Sequence, residues 1–260
     1  MGLDEVRRDW TRLGAADPLW AVLTHAGKRG GRWADEEFLA SGRAEIDAAM
    51  ARLDRLGVVS GRERALDFGC GAGRLSNALA QRFGEVVGVD VSAPMLEQAR
   101  RLDGSGGRIR FVHNVAPDLA VLPDDHVDLV YTDLVLQHLP PALARGYLRE
   151  FVRVLRPEGV LLAGMPDRHE RTLPGLMSRY APLAVQRVFQ RVVLRHPAPM
   201  RMHTMPQPEL AALMNDAGAD VIAADALGDN PHWRHIRYVV VKRPAAVPAA
   251  APTLSAALPA

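Results

Sequence analysis

Short apolar strand-like segments alternate with helix-like segments between residues 64 and 164. Five strands are predicted there, at Arg64–Phe68, Glu85–Val91, Arg108–His113, Val127–Thr132 and Val160–Gly164. Three helices are predicted between them, at Arg74–Phe83, at Ala93–Leu102 and from Pro140 to about Leu155. Strands joined in sequence by helices form right-handed parallel crossovers. The alternation therefore predicts an α/β fold with a doubly wound, mostly parallel sheet.

The segments on either side of this core have patterns of their own. The chain divides into a predicted N-terminal arm (1–60), the core (61–166), an insertion (167–205), closing elements (206–243) and an Ala/Pro-rich tail expected to be disordered (244–260). Further helices are predicted at Arg43–Leu56, Leu173–Leu194 and Pro208–Ala217. Two more strands, Asp220–Ala224 and His235–Lys242, are expected to complete the sheet.

The composition is that of an ordinary globular protein. Hydrophobic residues make up 48% and charged residues 24% of the 260 residues, and the formal net charge is +2. Because there is no long run of Lys or Arg, the charge gives no case for a nucleic-acid partner. The single cysteine, Cys70, excludes an internal disulfide framework and fits a reducing compartment. No apolar signal core or membrane-length apolar run occurs, so we expect a cytoplasmic protein without integral membrane association.

A glycine-rich turn follows the first predicted strand, in the stretch LDFGCGAGRL. Gly69, Gly71 and Gly73 permit positive φ and a close approach of a ligand to the backbone. Asp90 ends the second predicted strand, 19 residues after Gly71, where a carboxylate suits the two hydroxyls of a ribose. The cofactor is then a dinucleotide or S-adenosylmethionine. The third glycine is misplaced for the dinucleotide pattern G-x-G-x-x-G, and Asp67 suits a cationic amino group better than a pyrophosphate.

Four stretches of the core occur in order and at regular separations. They read LDFGCGAGRLS, VVGVDVSAPMLEQAR, VDLVYTDLVLQHLPP and YLREFVRVLRPEGVLLAG, and they span about residues 60–166. Together they resemble the motifs of class I S-adenosylmethionine-dependent methyltransferases. The resemblance implies a Rossmann-like, seven-stranded sheet whose last strand inserts antiparallel, with S-adenosyl-L-methionine as cofactor. It also implies that the N-terminal arm and a helical lid in the 167–205 insertion cover the site.

The resemblance assigns cofactor-binding positions residue by residue. The pocket for the methionine part is expected to be shaped by Asp67, Gly69, Gly71 and Gly73, with Cys70 contributing backbone only. Asp90 is expected to hold the ribose hydroxyls, and Val91 to lie beside the adenine. Thr132, at the end of the fourth predicted strand, matches a position whose backbone lies near the sulfonium.

The adenine contact departs from the family pattern in the stretch FVHNVAPDL. Val115 stands where many relatives carry an acidic residue that meets the adenine amino group. Asn114 or a main-chain carbonyl is expected to substitute there, with Asp118 as a further alternative.

Two histidines are candidates for roles at the methyl acceptor. His138 lies just beyond the fourth predicted strand, at the sheet edge where ligands bind in open α/β folds. Histidine commonly removes a hydroxyl proton near neutral pH, so His138 is the candidate catalytic base; alternatively it caps the next helix or shapes the pocket. His203 is either a substrate contact within the insertion or an ordinary loop histidine.

Several other groups allow two interpretations. Trp10, Trp20, Trp33 and Phe38 either attach the arm to the core or close over the cofactor. Arg43 and Arg74 either meet the cofactor carboxylate or are surface charges. Arg187, Arg191 and Arg195 share one helix face, which is either solvated or attracts an anionic acceptor or a membrane surface. His232 and His235 lack a carboxylate cluster at ligand spacing, so no structural metal is expected.

The sequence therefore predicts a methyltransferase that acts on a small molecule, most simply at a hydroxyl oxygen of a sugar or specialised metabolite. An N- or C-methyltransferase would share the whole cofactor half, and a non-catalytic cofactor-binding relative would keep the same glycines. A dinucleotide oxidoreductase is disfavoured by the glycine spacing. Neither the acceptor nor the oligomeric state follows from the sequence.

Overall fold

The computed structural model contains one seven-stranded sheet. Its strands are β1 (Arg64–Phe68), β2 (Glu85–Asp90), β3 (Ile109–His113), β4 (Val127–Thr132), β5 (Leu155–His169), β6 (Ala219–Ala226) and β7 (Trp233–Lys242). Their order across the sheet is β3-β2-β1-β4-β5-β7-β6. Strands β1 to β5 are parallel, whereas β7 is antiparallel to both β5 and β6. The predicted doubly wound fold with an antiparallel last strand is confirmed.

The helices whose bounds are described are α1 (Leu3–Ala16), α2 (Pro18–Val22), α3 (Asp35–Arg55), α4 (Arg74–Leu79), α5 (Ala93–Arg101), α6 (Pro141–Val154) and α7 (Gln207–Asp216). The structure describes residues 2–244 apart from 26, 59–60, 173–174, 177–179, 182–184, 186–189, 193–195, 201 and 229–230. Helix α3 begins eight residues before the predicted start at Arg43, and α4 ends four residues before the predicted end at Phe83.

Each face of the sheet is covered by its own apolar layer. Helices α3 and α4 pack on one face through residues such as Ile46, Leu53 and Leu79. Helices α6 and α7 pack on the other through residues such as Phe151 and Leu210. Because both faces are buried, the central strands are apolar throughout, as in β4, where every residue is buried. This two-layer burial leaves the carboxyl ends of the strands as the accessible edge.

Strand β5 is much longer than predicted. The predicted helix ends at about Leu155 and the predicted strand begins at Val160, whereas α6 ends at Val154 and β5 already begins at Leu155, so that Pro157 and Gly159 lie within the strand. The register with β4 passes from Val127↔Leu155 to Leu129↔Val160, so the residues between form a bulge in which Glu158 has φ +63°. A bulge accommodates Pro and Gly without ending the strand.

The predicted helix Leu173–Leu194 lies largely outside the described residues, and the tail from 245 onward lies wholly outside them. Leu176, Tyr180 and Val192 are described as helical, but Ala181 is a bend. A single continuous helix is therefore a wrong prediction, because Ala181 precedes Pro182, and a residue before proline disfavours the helical conformation. The four boundaries between the five parts of the chain stay predictions.

Candidate active site

A cavity opens at the carboxyl ends of β1, β2 and β4. It holds about 910 Å³ of empty space, counting its open mouth. The turn after β1, the end of β2 and the segment after β4 line it, and the N-terminal arm contributes Leu3, Val6, Trp10 and Val22. Because ligands of open α/β sheets bind outside the carboxyl ends of the strands, this cavity is the candidate active site.

The glycine turn after β1 forms one wall of the cavity. Gly69 and Gly71 have φ values of +73° and +52°, in the left-handed region. The backbone amides of Gly69 and Cys70 both donate to the carbonyl of Val89, which ties the turn to β2. A Cβ atom on Gly69 would lie 2.4 Å from Cγ2 of Val135. Glycine is thus required both by the backbone conformation and by the segment after β4, which packs directly on the turn.

Asp90 lines the cavity at the end of β2. Its carboxylate accepts hydrogen bonds from the backbone amides of Gly71 and Ser92, each at 2.8 Å. Burial raises the pKa of Asp90, and these two hydrogen bonds oppose that effect. A carboxylate has about four acceptor positions, so capacity remains for two ligand hydroxyls. The predicted ribose-binding position thus has the chemistry that a ribose requires.

Three predicted cofactor residues lie behind the cavity wall. Asp67 is 1% exposed and accepts a hydrogen bond from the Ser76 hydroxyl at 2.6 Å. Burial raises the pKa of Asp67 to about 7. Gly73 is the N-cap residue of α4 with φ +81°, and Thr132, the last residue of β4, is buried. These residues support the wall from behind, and their roles toward a cofactor stay predictions.

Val91 and Asn114, the residues expected beside the adenine, both line the cavity. Val115 is 47% exposed and does not line the cavity. The amide nitrogen of Asn114 donates to the carbonyl of Asp118 at 2.7 Å, which holds the loop after β3 in place. Of the alternatives for the adenine contact, the structure therefore brings Asn114 into the cavity.

His138 lines the cavity on the side opposite Asp90, because it follows β4 whereas Asp90 ends β2. It ends the 3₁₀ turn Leu136–His138, and its ring centroid lies 5.0 Å from that of Trp10 in an edge-on arrangement. Pro140 is the N-cap residue of α6, so His138 lies two residues before the cap. The backbone amide of His203 donates to the carbonyl of Gln137 at 2.7 Å, which places His203 beside this turn but outside the cavity lining.

Asp133 is a cavity-lining residue that the sequence motifs did not reveal. Its Oδ1 accepts a hydrogen bond from His235 Nε2 at 2.8 Å, and its Oδ2 accepts one from Arg237 Nη2 at 2.6 Å. Burial alone would raise the pKa of Asp133, but these two partners outweigh it and lower the pKa to about 2. The sequence signal that could have indicated Asp133 was its position directly after a buried strand. Its two partners lie in β7, more than a hundred residues later, so no local pattern indicated the pairing.

Arg74 also lines the cavity, whereas the other candidate for a cofactor carboxylate does not. Arg74 is 4% exposed, and its Nη1 lies 2.8 Å from Oε2 of Glu45. Glu45 also accepts a hydrogen bond from Arg237 at 3.1 Å, so the ion pairs continue to Asp133. Arg43 pairs with Glu36 near the surface.

The aromatic residues of the arm divide between the two roles considered for them. Trp20, Trp33 and Phe38 are buried and pack with Ala72 of the glycine turn, so they attach the arm to the core. Trp10 instead faces the cavity beside His138. The arm is therefore both attached to the core and part of the cavity wall.

Two kinds of feature are absent from the residues that the structure describes. Within them, no three His, Cys, Asp or Glu side chains are grouped so that they could hold a metal ion. Within the same residues, no helix has the length and apolar character that a membrane span needs.

Comparison with known proteins identifies the class. A family model described as a methyltransferase domain matches residues 65–159. The chain is 30% identical over 214 residues to the trans-aconitate 2-methyltransferase of Azoarcus sp. (strain BH72), which covers 77% of this chain and 81% of that protein. It is 28% identical over 167 residues to the 2-methyl-6-phytyl-1,4-hydroquinone methyltransferase of Synechocystis sp. (strain ATCC 27184 / PCC 6803 / Kazusa), over 64% of this chain and 51% of that one.

The fold agrees with a solved structure of the same class. The magnesium protoporphyrin IX methyltransferase from Synechocystis PCC 6803 with bound SAH has a TM-score of 0.61 and 21% identity, over 91% of this chain and 98% of that one. This chain therefore belongs to the class I S-adenosylmethionine-dependent methyltransferases. The relative from Azoarcus, with 81% of its length matched, carries this assignment, and the class is defined by S-adenosyl-L-methionine as its cofactor. The chain spans 46% and 51% of the length of two of the curated relatives that it matches.

The residues present fit that cofactor. Asp90 lies beside the positive-φ glycine turn in the same cavity and keeps acceptor capacity for the ribose hydroxyls. The buried Arg74 has an Nε with no hydrogen-bond partner among the described residues, and such a donor suits a carboxylate.

Proposed function

We propose that this protein transfers the methyl group of S-adenosylmethionine to a hydroxyl oxygen of a small molecule, such as a sugar or a specialised metabolite, with His138 as the general base. One observation carries the proposal: His138 lines the same cavity as Asp90, on the opposite side of the glycine turn. Among the relatives, one is named as a trans-aconitate 2-methyltransferase and another as a malonyl-[acyl-carrier protein] O-methyltransferase, so methylation of an oxygen occurs among proteins similar to this one.

The cavity residues divide the work between binding and proton transfer. Bound S-adenosylmethionine supplies an electrophilic methyl group on a sulfonium. Asp90 would accept hydrogen bonds from the ribose, Val91 and Asn114 would border the adenine, and Arg74 would meet the cofactor carboxylate. On the opposite side, a ring nitrogen of His138 would take the hydroxyl proton as the acceptor oxygen attacks the methyl carbon.

Trp10 and the arm favour a small acceptor. Trp10 packs edge-on against His138, and α1 with α2 forms part of the cavity wall. A covered cavity excludes water and holds the acceptor oxygen in line with the bond to be broken, so proximity supplies much of the rate. An extended nucleic acid would instead require an open basic groove.

The test is a substitution of His138 in the full chain. Pooled alcohol, amine and carboxylate acceptors are first incubated with isotopically labelled S-adenosylmethionine, and mass analysis identifies which acceptor gains the methyl group. His138→Ala is then expected to bind S-adenosylhomocysteine as the wild type does, and to lower the single-turnover rate about 10²–10⁴-fold.

The matched control is His126→Ala, a histidine at the amino end of β4 and outside the cavity lining. It should leave the single-turnover rate within about threefold of wild type, since it is not expected to touch the reacting atoms. A stable His138→Ala protein with near-native turnover would reject His138 as the base. Methylation of amines alone would reassign the reaction to N-methylation, because an amine needs less help from a base.

A further inference from the structure

The cavity contains a second fixed carboxylate, far from the one that suits the ribose. In the sheet, β1 lies between β2 and β4, so Asp90 and Asp133 stand on either side of the glycine turn. Two strand spacings separate their strands, roughly 10 Å. Asp133 therefore lies with His138 on the side of the cavity where the acceptor would react.

The carboxylate of Asp133 is held rigidly. Its Oδ1 accepts from His235 and also from the backbone amide of Leu134 at 2.9 Å, and its Oδ2 accepts from Arg237. A Cβ atom on Gly164 would lie 2.1 Å from Oδ1, so a residue without a side chain is needed beside it. Three donors leave about one of four acceptor positions, on Oδ2.

The charged partners of Asp133 approach from behind. Arg237 and His235 belong to β7 and do not line the cavity, whereas Asp133 does. The cavity is therefore bordered by the carboxylate of Asp133, and the cationic partner Arg237 lies behind it. The neighbouring Leu134 has φ +60° and is 39% exposed, so the chain adopts a strained conformation to present this corner to the cavity.

We propose that Asp133 is a specificity-determining residue for the acceptor. Its carboxylate accepts a hydrogen bond from a hydroxyl or amine on the acceptor and excludes an acceptor that presents a carboxylate at the same place. Two like charges repel most strongly where water is scarce, and such repulsion is an effective means of rejecting a wrong ligand. The inference rests on the proposed function, because it assumes that an acceptor occupies this side of the cavity.

The experiment compares two ligands that differ only at the methyl-transfer position. S-adenosylhomocysteine is neutral there, whereas sinefungin carries a C–NH₃⁺ group in place of the sulfonium methyl. By calorimetry, the wild type is expected to bind sinefungin about tenfold or more tighter than S-adenosylhomocysteine. Asp133→Asn should abolish this preference and leave S-adenosylhomocysteine affinity within about threefold.

The control for charge removal is Asp167→Asn. Asp167 is also a buried carboxylate on the β5 and β7 side, 3.8 Å from Arg234, but it does not line the cavity. This variant should keep the preference for sinefungin. A second variant, Arg237→Gln, removes the cation behind Asp133 and should increase the preference.

Each of the following three results would overturn the proposal. An equal loss of affinity for both ligands in Asp133→Asn would assign Asp133 to the α-amino group, which the two ligands share. No preference for sinefungin in the wild type would show that the carboxylate does not act at this position. Identification of a carboxylate as the preferred acceptor would also refute it. Because the calorimetry involves no turnover, failure of His138 as the base would leave these results readable.

Discussion

Asp67 should make folding stability depend on pH in the direction opposite to that of an ordinary paired carboxylate. Its side chain is 1% exposed, and burial raises its pKa from the usual 3.8 to about 7. The folded protein thus binds this proton more tightly than the unfolded chain. The contribution of this proton to the free energy of unfolding is fully present below about pH 4 and is lost as the pH rises through about 7.

The magnitude follows from the two pKa values. A difference of about three pH units corresponds to about 4 kcal/mol, at about 1.4 kcal/mol per unit. Asn has nearly the same shape as Asp but carries no charge to desolvate, and its side-chain oxygen still accepts from Ser76. In the ligand-free protein, Asp67→Asn should therefore be more stable than the wild type by up to about 4 kcal/mol at pH 8, with the difference vanishing toward pH 4.

Urea unfolding of the ligand-free protein at pH 5, 6, 7 and 8 measures this difference. The matched control is Glu150→Gln, since the hydrogen bond from Arg153 lowers the pKa of Glu150. There the wild type should be more stable than the variant at neutral pH, and this advantage should be lost as the pH falls through the lowered pKa. A free-energy difference between Asp67→Asn and wild type that stays constant from pH 5 to 8 would refute the reasoning.

Two further substitutions test the cavity walls. Asp90→Ala should weaken S-adenosylhomocysteine binding by about 1.5–3 kcal/mol for each ribose hydrogen bond lost, measured by calorimetry, and unchanged affinity in a folded variant would show that the ribose lies elsewhere. Gly69→Ala should lower the unfolding free energy by at least about 1–3 kcal/mol and impair cofactor binding, because the φ of +73° is strained for Ala and its Cβ would lie 2.4 Å from Val135. Gly146→Ala in α6 is its control in thermal and urea unfolding: the glycine faces open space inside a helix, so Ala should stabilise by about 0.5–1 kcal/mol.

Local sequence patterns were sufficient for the sheet core and for one side of the cavity. Each central strand is a short apolar run, and the residues that end it follow directly in sequence, as Asp90 does after β2. Parallel strands bring their carboxyl ends to one edge, so the glycine turn, Asp90 and His138 could be assigned to a common site before any contact was known. The spacing of these residues along the chain is therefore sufficient to assign them to one site.

Local sequence patterns gave wrong bounds for two elements, the strand β5 and the predicted helix Leu173–Leu194. The predicted strand begins at Val160, but β5 begins at Leu155 and holds Pro157 and Gly159 in a bulge, because β4 pairs with residues on both sides of them. Ala181 interrupts a helical apolar pattern because proline follows it. The first difference comes from pairing with another strand, and the second from the restriction that proline places on the residue before it. Neither follows from the periodicity of the side chains.

Only the tertiary structure decided which charges face the ligand. Asp133 looked like an ordinary polar residue after a strand, and its partners His235 and Arg237 belong to a strand that enters the sheet from the end of the chain. Arg74 and Arg43 were equivalent candidates until α3 buried the first beside Glu45 and left the second near solvent. A buried charge is stable only with a partner, and a partner far away in sequence leaves no local pattern, so packing alone determines such pairs.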